Sequence, residues 1–142
     1  MEKLQEKIQN IDSSNINESD IAVIESTIQE LDNGNIRVAN YQDGEWTINE
    51  WVRDAILLFF SVRNLKEINA NDLIYYDKLE PKKNYKELGI RVVPPGVVRY
   101  GAFIGSRSII VEGIRIKKGA VIGANVTLTA STPIIDVTGK EP

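Results

Sequence analysis

Residues 91–139 read RVVPPGVVRYGAFIGSRSIIVEGIRIKKGAVIGANVTLTASTPIIDVTG and contain the strongest pattern of the chain. Neither a helix, with its period of 3.6, nor an ordinary alternating strand predicts an unbroken period of six. A hexapeptide β-helix does, because each six-residue step is one short strand and one turn. The aliphatic residues that stand six apart are Val92, Val98, Ile104, Ile110, Ile116, Ile122, Leu128 and Ile134.

Two further features of the repeat agree with a β-helix, whose strands form the sides of a narrow prism. We expect the residue four places after each aliphatic one to have a small or narrow side chain, because this side chain also faces inward near a corner. Glycines cluster where the corners need tight turns or a positive φ. A β-sandwich is the alternative, but its strands rarely keep an exact register of six. The inward residues are Ala102, Ser108, Ile114, Ala120, Val126, Thr132 and Thr138, and the glycines are Gly101, Gly105, Gly113, Gly119, Gly123 and Gly139.

The composition excludes several classes of function. The chain has 142 residues and a net charge of −3. It therefore lacks the excess of basic residues that would indicate a nucleic-acid partner. Cysteine and histidine are both absent, which excludes disulfides, a histidine base and a zinc site built on histidines. The charged stretch at residues 1–9 is unlike a signal peptide, and no stretch predicts a membrane span. We therefore expect a soluble, cytoplasmic protein without a metal.

Residues 1–89 lack the six-residue period and predict an α/β domain. We expect a helix through Leu4, Ile8 and Ile11 and a second over 17–33, capped by Asn17 or Ser19 and closed by Gly34. A third helix is expected to be capped by Asn49 and to run to about Phe60. A strand at 36–39, a turn at Asp43-Gly44 and a strand at 46–48 form a hairpin. We expect a strand at residues 74–76 and a short helix at residues 85–89. Trp46 and Trp51 are both expected to lie in the core.

The boundary between the two parts falls near Gly89, so residues 90–142 form the repeat. Pro94 and Pro95 then block hydrogen bonding at the first edge of the ladder, a common way to protect it. Three strands make one turn, and a stack this short predicts marginal stability unless the chain assembles into trimers or pairs through its last edge.

The motifs of both parts resemble one family, that of tetrahydrodipicolinate N-succinyltransferase. The repeat starts with Arg91-Val92-Val93-Pro94-Pro95 and Val98-Arg99-Tyr100-Gly101-Ala102-Phe103-Ile104, like the family's β-helix. The N-terminal motifs match in order and spacing, and other hexapeptide transferases lack that domain. They are Ile36-Arg37-Val38-Ala39, Asp43-Gly44-Glu45-Trp46, Asn49-Glu50-Trp51 and Ala55-Ile56-Leu57-Leu58.

The resemblance implies an α+β N-terminal domain, a short left-handed parallel β-helix, homotrimers and an acyltransferase of lysine and diaminopimelate biosynthesis. Succinyl-CoA is then the co-substrate, and its thioester is attacked directly by the amine of ring-opened tetrahydrodipicolinate. Arg91 matches the family's substrate-binding arginine, and Arg99 and Arg107 are weaker candidates at turn positions. Glu112 is the candidate for proton transfer. The residues expected to line the CoA groove, because they resemble the family's coils there, are Gly123, Ala124, Thr129 and Ala130. Lys117 and Lys118 are candidates for contact with the CoA phosphates.

One departure from the family pattern leaves two other hypotheses open. The family's central coils, which carry an aspartate implicated in catalysis, lie between the counterparts of Ala102-Phe103 and Ser106-Arg107, and here those segments are nearly fused. The family's last coils and C-terminal cap have no counterpart before Pro142. A catalytically inactive, shortened remnant or scaffold is therefore the alternative function. An acyltransferase for a different amine is a third, which the family-specific N-terminal domain disfavours.

Overall fold

The computed structural model of the chain describes residues 2–70, 73–110, 115–116, 119–122 and 127–128. Helices and hairpins come first in the described residues, and very short strands follow. The helices are α1 (Glu2–Gln9), α2 (Glu18–Asp32) and α3 (Glu50–Val62). The strands are β1 (Ala39–Gln42), β2 (Glu45–Ile48), β3 (Lys66–Ala70), β4 (Leu73–Asp77), β5 (Arg91–Val92), β6 (Val97–Val98), β7 (Phe103–Ile104), β8 (Ile109–Ile110), β9 (Arg115–Ile116), β10 (Val121–Ile122) and β11 (Thr127–Leu128).

The two ends of α2 follow the predicted signals. Asn17 is the residue before the helix, and its side chain accepts a hydrogen bond from the Asp20 backbone N–H at 3.0 Å. The Asp20 carboxylate accepts one from the Asn17 backbone N–H at 3.0 Å, which completes a capping box. Asn17 rather than Ser19 is therefore the cap. Gly34 has φ +78°, the left-handed conformation predicted for it.

The first hairpin confirms the predicted turn but begins later than predicted. Asp43 and Gly44 have positive φ values of 54° and 83°, as a tight hairpin turn requires. Strand β1 starts at Ala39, so the strand predicted at 36–39 is wrong at its start. The Asn49 backbone N–H donates to the Val38 carbonyl and its side-chain amide donates to the Arg37 carbonyl, each at 2.7 Å. These bonds fix residues 36–38 against the start of α3, with Ile36 and Val38 buried and Arg37 exposed. The Asn49 side chain does not cap α3, so the predicted cap is wrong.

The two tryptophans, both predicted to be core residues, differ in burial. Trp51 on α3 is 8% exposed, which confirms its prediction, whereas Trp46 on β2 is 47% exposed. The prediction for Trp46 is wrong because the hairpin is not covered by other described residues: residues 40–47, which alternate between its two faces, are all exposed. Trp46 instead contacts Tyr41 across the hairpin, with ring centroids 5.2 Å apart.

Residues 63–90 depart furthest from the sequence prediction. Strand β4 confirms the strand predicted at 74–76, but its antiparallel partner β3 was not predicted. Residues 85–89 form consecutive turns instead of the predicted helix. Their geometry starts at Asn84, whose φ is +63°, and the Leu88 backbone N–H donates to the Asn84 carbonyl at 3.0 Å. A single turn of this kind positions Ile90 for the repeat.

The short strands pair in parallel with a constant offset of 18 residues. Val92 lies beside Ile110, Val98 beside Ile116 and Ile104 beside Ile122. The fourth pair joins Ile110 and Leu128. Eighteen residues are three hexapeptides, so the aliphatic ladder predicted from the sequence lies in register. Its members Val98 and Ile110 are fully buried, and Ala102 and Ser108, two of the predicted inward positions, are buried as well.

Two clusters of buried side chains lie on either side of residue 85. One contains α1, α2 and α3 side chains, among them Ile24, Ile28 and Phe59, and the other contains the repeat ladder. They meet at close contacts: a Cβ placed on Gly34 would lie 2.5 Å from the Phe103 ring, and one on Gly119 would lie 3.0 Å from Val38. The segments that follow α2 therefore pack directly on the repeat.

Candidate functional site

Arg91 lies at the start of the repeat with an exposed side chain. It is the outward residue of β5, and its neighbour Val92 belongs to the ladder. Its backbone N–H donates to the Ser108 carbonyl at 3.0 Å, which fixes the strand on β8. The described part of the chain gives its guanidinium no ion-pair partner. The backbone at Arg91 is thus fixed, and its charge can bind an anion from solution.

Arg107 has a left-handed backbone conformation, which favours glycine. It is exposed, has φ +61°, and its N–H donates to the Gly89 carbonyl at 2.7 Å. The corners six residues before and twelve residues after it hold Gly101 and Gly119, with φ values of 95° and 81°. The left-handed conformation costs an L-residue about 1–2 kcal/mol. Arginine is therefore present here against the local backbone preference, next to the strand of Arg91.

Arg99 is a poorer candidate than its turn position predicted. Its guanidinium is ion-paired with the Asp77 carboxylate, and both side chains are about one third exposed. We expected an exposed charge at this corner; the structure shows a contact between β4 and the repeat. A guanidinium already paired with a carboxylate is less available to a ligand.

The other residues predicted for the site lie outside the described residues. These are Glu112, Lys117, Lys118, Gly123, Ala124, Thr129 and Ala130. Their roles in proton transfer and in CoA binding stay predictions. Of the residues predicted for the site, the structure therefore describes Arg91, Arg99 and Arg107.

A buried ion pair joins the helical part to the repeat. The Lys82 ammonium lies 2.8 Å from an Asp32 carboxylate oxygen and donates to the Asp32 carbonyl at 3.0 Å. The same carboxylate oxygen accepts from the Gly101 backbone N–H at 2.7 Å. The Lys82 side chain is 4% exposed. Asp32, at the end of α2, thus satisfies both a buried cation and a corner of the repeat.

A polar groove lies between α2, α3 and the corner at Tyr100. We call it the junction groove; its volume is about 390 Å³. A smaller cavity of about 290 Å³, which includes Asp32 and Lys83, shares Glu80 and Tyr100 with it. The residues that line the junction groove are Ala22, Glu25, Ser26, Gln29, Phe59, Arg63, Glu80 and Tyr100.

Two ionisable groups of the junction groove have shifted pKa values. Burial raises the pKa of the Tyr100 phenol, and the carboxylates of Asp32 and Glu80 raise it further. Burial also acts to raise the pKa of the Glu80 carboxyl, but its own backbone N–H and the charges of Lys66 and Arg63 outweigh burial. The pKa of Glu80 therefore lies below its ordinary value, and Glu80 is a carboxylate at neutral pH while Tyr100 is neutral.

The junction groove was not predicted from the sequence. Glu25 and Gln29 are four residues apart on one face of α2, which is a usual arrangement for a solvated helix surface. Arg63 and Glu80 lie in segments without a regular pattern. The packing of α3 on α2 brings Arg63 to Glu25, and the repeat adds Tyr100. These contacts join residues far apart in the sequence, so no local signal marked them.

Two kinds of feature are absent from the residues that the structure describes. No helix among them is long and apolar enough to cross a membrane. No group of three or more histidine, cysteine, aspartate or glutamate side chains in that same part of the chain could hold a metal ion.

Comparison with known families gives two matches. Residues 1–62 match a family model described as the N-terminal part of tetrahydrodipicolinate N-succinyltransferase. Residues 101–130 match the hexapeptide repeat of succinyl-transferase. The N-terminal part and the repeat therefore each match a succinyltransferase model.

Comparison with curated proteins gives relatives of the same name. A 2,3,4,5-tetrahydropyridine-2,6-dicarboxylate N-succinyltransferase of Acinetobacter baylyi is 36% identical over 108 residues, which are 72% of this chain and 39% of the relative. One of Acinetobacter baumannii is 43% identical over 86 residues, 56% of this chain and 32% of the relative. The chain thus spans about a third to two fifths of the curated relatives it matches.

Proposed function

Because the chain belongs to the tetrahydrodipicolinate N-succinyltransferase family, we propose that it moves a succinyl group from succinyl-CoA to the amine of ring-opened tetrahydrodipicolinate. The amine nitrogen attacks the thioester carbonyl carbon, so that a C–N bond forms as the C–S bond breaks. CoA leaves as the thiol and receives the equivalent of the proton that the amine loses. No covalent intermediate on the protein is required.

The proposal includes the architecture of the family. The parallel strands with an offset of 18 residues support a short left-handed β-helix over 90–142, preceded by an α/β domain over 1–89. We propose that three copies associate and that the active sites lie between neighbouring β-helices. Glu112 would take part in proton transfer, and Gly123, Ala124, Thr129 and Ala130 would lie along the CoA arm.

The observation that most supports a substrate site is the position of Arg91 and Arg107 at the first pair of strands. The acceptor carries two carboxylates, and an arginine fork is the side chain best suited to bind a carboxylate. Arg91 is exposed without an ion-pair partner in the described residues, and Arg107 occupies a corner at a conformational cost. A charge kept at such a cost favours a role in binding over a role in folding. We assign one substrate carboxylate to each arginine.

Replacing Arg91 tests this assignment. A charge-assisted hydrogen bond contributes about 1.5–3 kcal/mol, so we expect Arg91→Ala to lower kcat/KM roughly 10- to 100-fold. CoA release can be followed with a thiol reagent, because the chain has no cysteine to react. The matched control is Arg53→Ala, an exposed arginine on α3 whose removal should leave kcat/KM unchanged.

Three outcomes separate the hypotheses. Turnover that falls in Arg91→Ala and not in Arg53→Ala supports the proposal. Turnover that is equal in all three proteins would contradict the role of Arg91. No turnover from a folded chain would favour the inactive remnant, the second candidate, which the near fusion of Ala102-Phe103 with Ser106-Arg107 supports.

Arg107→Gly separates folding from binding at the second arginine. Glycine adopts φ +61° without strain, so we expect the free energy of unfolding to stay the same or rise by up to about 1 kcal/mol. In the same variant kcat/KM should fall roughly 10- to 100-fold, because one carboxylate loses its guanidinium. The measurements are urea unfolding and CoA release. A variant that is destabilised yet fully active would show that Arg107 serves the fold.

A further inference from the structure

Two polar atoms in the wall of the junction groove have no hydrogen-bond partner among the described residues. They are the Nε of Arg63 and the Oε2 of Glu80, and both are buried. Their ion pairs are long: Arg63 Nη2 lies 3.5 Å from Glu25 Oε1, and Glu80 Oε2 lies 3.7 Å from Lys66 Nζ. A buried polar group without a hydrogen bond costs about 1–3 kcal/mol. The groove therefore has one donor and one acceptor whose hydrogen bonds a ligand could supply.

The two groups require opposite charges from such a ligand. The Nε–Nη edge of a guanidinium binds a carboxylate through two parallel hydrogen bonds. Glu80 is ionised at neutral pH, and Glu25 places a second carboxylate in the same groove. Among the side chains that line the groove, two carboxylates lie beside one guanidinium. An ammonium group near Glu80 is therefore favoured where it replaces the long contact with the exposed Lys66 side chain. The groove volume of about 390 Å³ is within the usual range of small-molecule sites, roughly 300–1,000 Å³.

From this arrangement we propose that the junction groove binds a small zwitterion, a free α-amino acid. Its carboxylate pairs with Arg63 and its ammonium pairs with Glu80. A small turn of the Glu80 carboxyl or of the guanidinium exposes the buried atom to the ligand. The groove is built by α2, α3 and the corner at Tyr100, so the site is separate from Arg91 and Arg107. A ligand there would contact both the helical part and the repeat.

The test is an NMR titration of the full chain with three probes. L-Alanine carries both charges, propionate carries only the carboxylate, and propylamine carries only the ammonium. We expect L-alanine to shift the amides of Ser26 and Gln29 and the Nε–H signal of Arg63, with a Kd at least about tenfold lower than that of either other probe. Equal binding of L-alanine and propionate would contradict the proposal, since it would indicate a simple anion site.

Variants connect the binding to the two side chains. Glu80→Gln and Arg63→Gln should each raise the Kd for L-alanine at least about tenfold, whereas Arg53→Gln on the far part of α3 should not. Glu80→Gln keeps the shape of the side chain, so it tests the site even if Arg63→Gln fails to fold. Binding that persists in Glu80→Gln, or no shift with any probe, would overturn the proposal and leave a groove that holds only water. Arg91→Ala should bind L-alanine normally, which distinguishes a failure here from a failure of the proposed transferase activity.

Discussion

Lys82→Met should lower the free energy of unfolding by about 3–5 kcal/mol, which is the usual cost of removing one partner of a buried ion pair. Methionine keeps much of the length of lysine but leaves the Asp32 carboxylate with the Gly101 N–H and no cation. The loss should appear in urea unfolding followed by tryptophan fluorescence, as a lower midpoint with an unchanged slope. A change of less than about 1 kcal/mol would show that water replaces the ammonium at no cost.

The adjacent residue provides the matched control for Lys82→Met. Lys83 is exposed and lies in the same segment, so Lys83→Met should change the free energy of unfolding by less than about 0.5 kcal/mol. Asp32→Asn combined with Lys82→Met should recover part of the loss, because the asparagine oxygen can still accept from Gly101 without a buried charge. Equal losses in Lys82→Met and Lys83→Met would contradict the role that we give to burial.

The repeat was predictable because a single physical rule generates it. Each strand must present an aliphatic side chain to the interior, so the sequence repeats every six residues and the strands pair every eighteen. The ends of α2 were predictable for a similar reason, since Asn17 and Gly34 act on the neighbouring backbone. Signals of this kind depend only on residues close together in the chain, so they can be recognised in a single sequence.

The contacts between the helices and the repeat were not predictable in the same way. Asp32 and Lys82 are fifty residues apart, and nothing near either residue marks it as one partner of a buried pair. The prediction that Trp46 is buried failed for a related reason. The sequence of a hairpin does not reveal whether another element covers its faces. Arg91 was identified by the resemblance to the family. The conformational cost of placing an arginine at position 107 became visible only with its φ of +61°.

Gly34→Ala should be strongly destabilising because two costs act at one residue. The φ of +78° costs an alanine about 1–2 kcal/mol. The new Cβ would also lie 2.5 Å from Cδ2 and 2.9 Å from Cγ of Phe103, so the whole ring must move. The Arg37 guanidinium lies over the same ring, 5.9 Å from its centroid. Overpacking of this kind costs about 1–3 kcal/mol, so the two terms together predict a loss of about 2–5 kcal/mol.

Gly44→Ala isolates the backbone term of this prediction. Gly44 has φ +83°, and no atom lies within 4 Å of the position that its Cβ would take. Its loss in urea unfolding should therefore be only about 1–2 kcal/mol. Phe103→Leu combined with Gly34→Ala should then show a favourable coupling of about 1 kcal/mol or more, since the smaller side chain relieves the clash. Equal losses in Gly34→Ala and Gly44→Ala, with no coupling to Phe103, would mean that the turn after α2 and strand β7 are not tightly packed against each other. The close approach of α2 to the repeat would then contribute little to the stability of the fold.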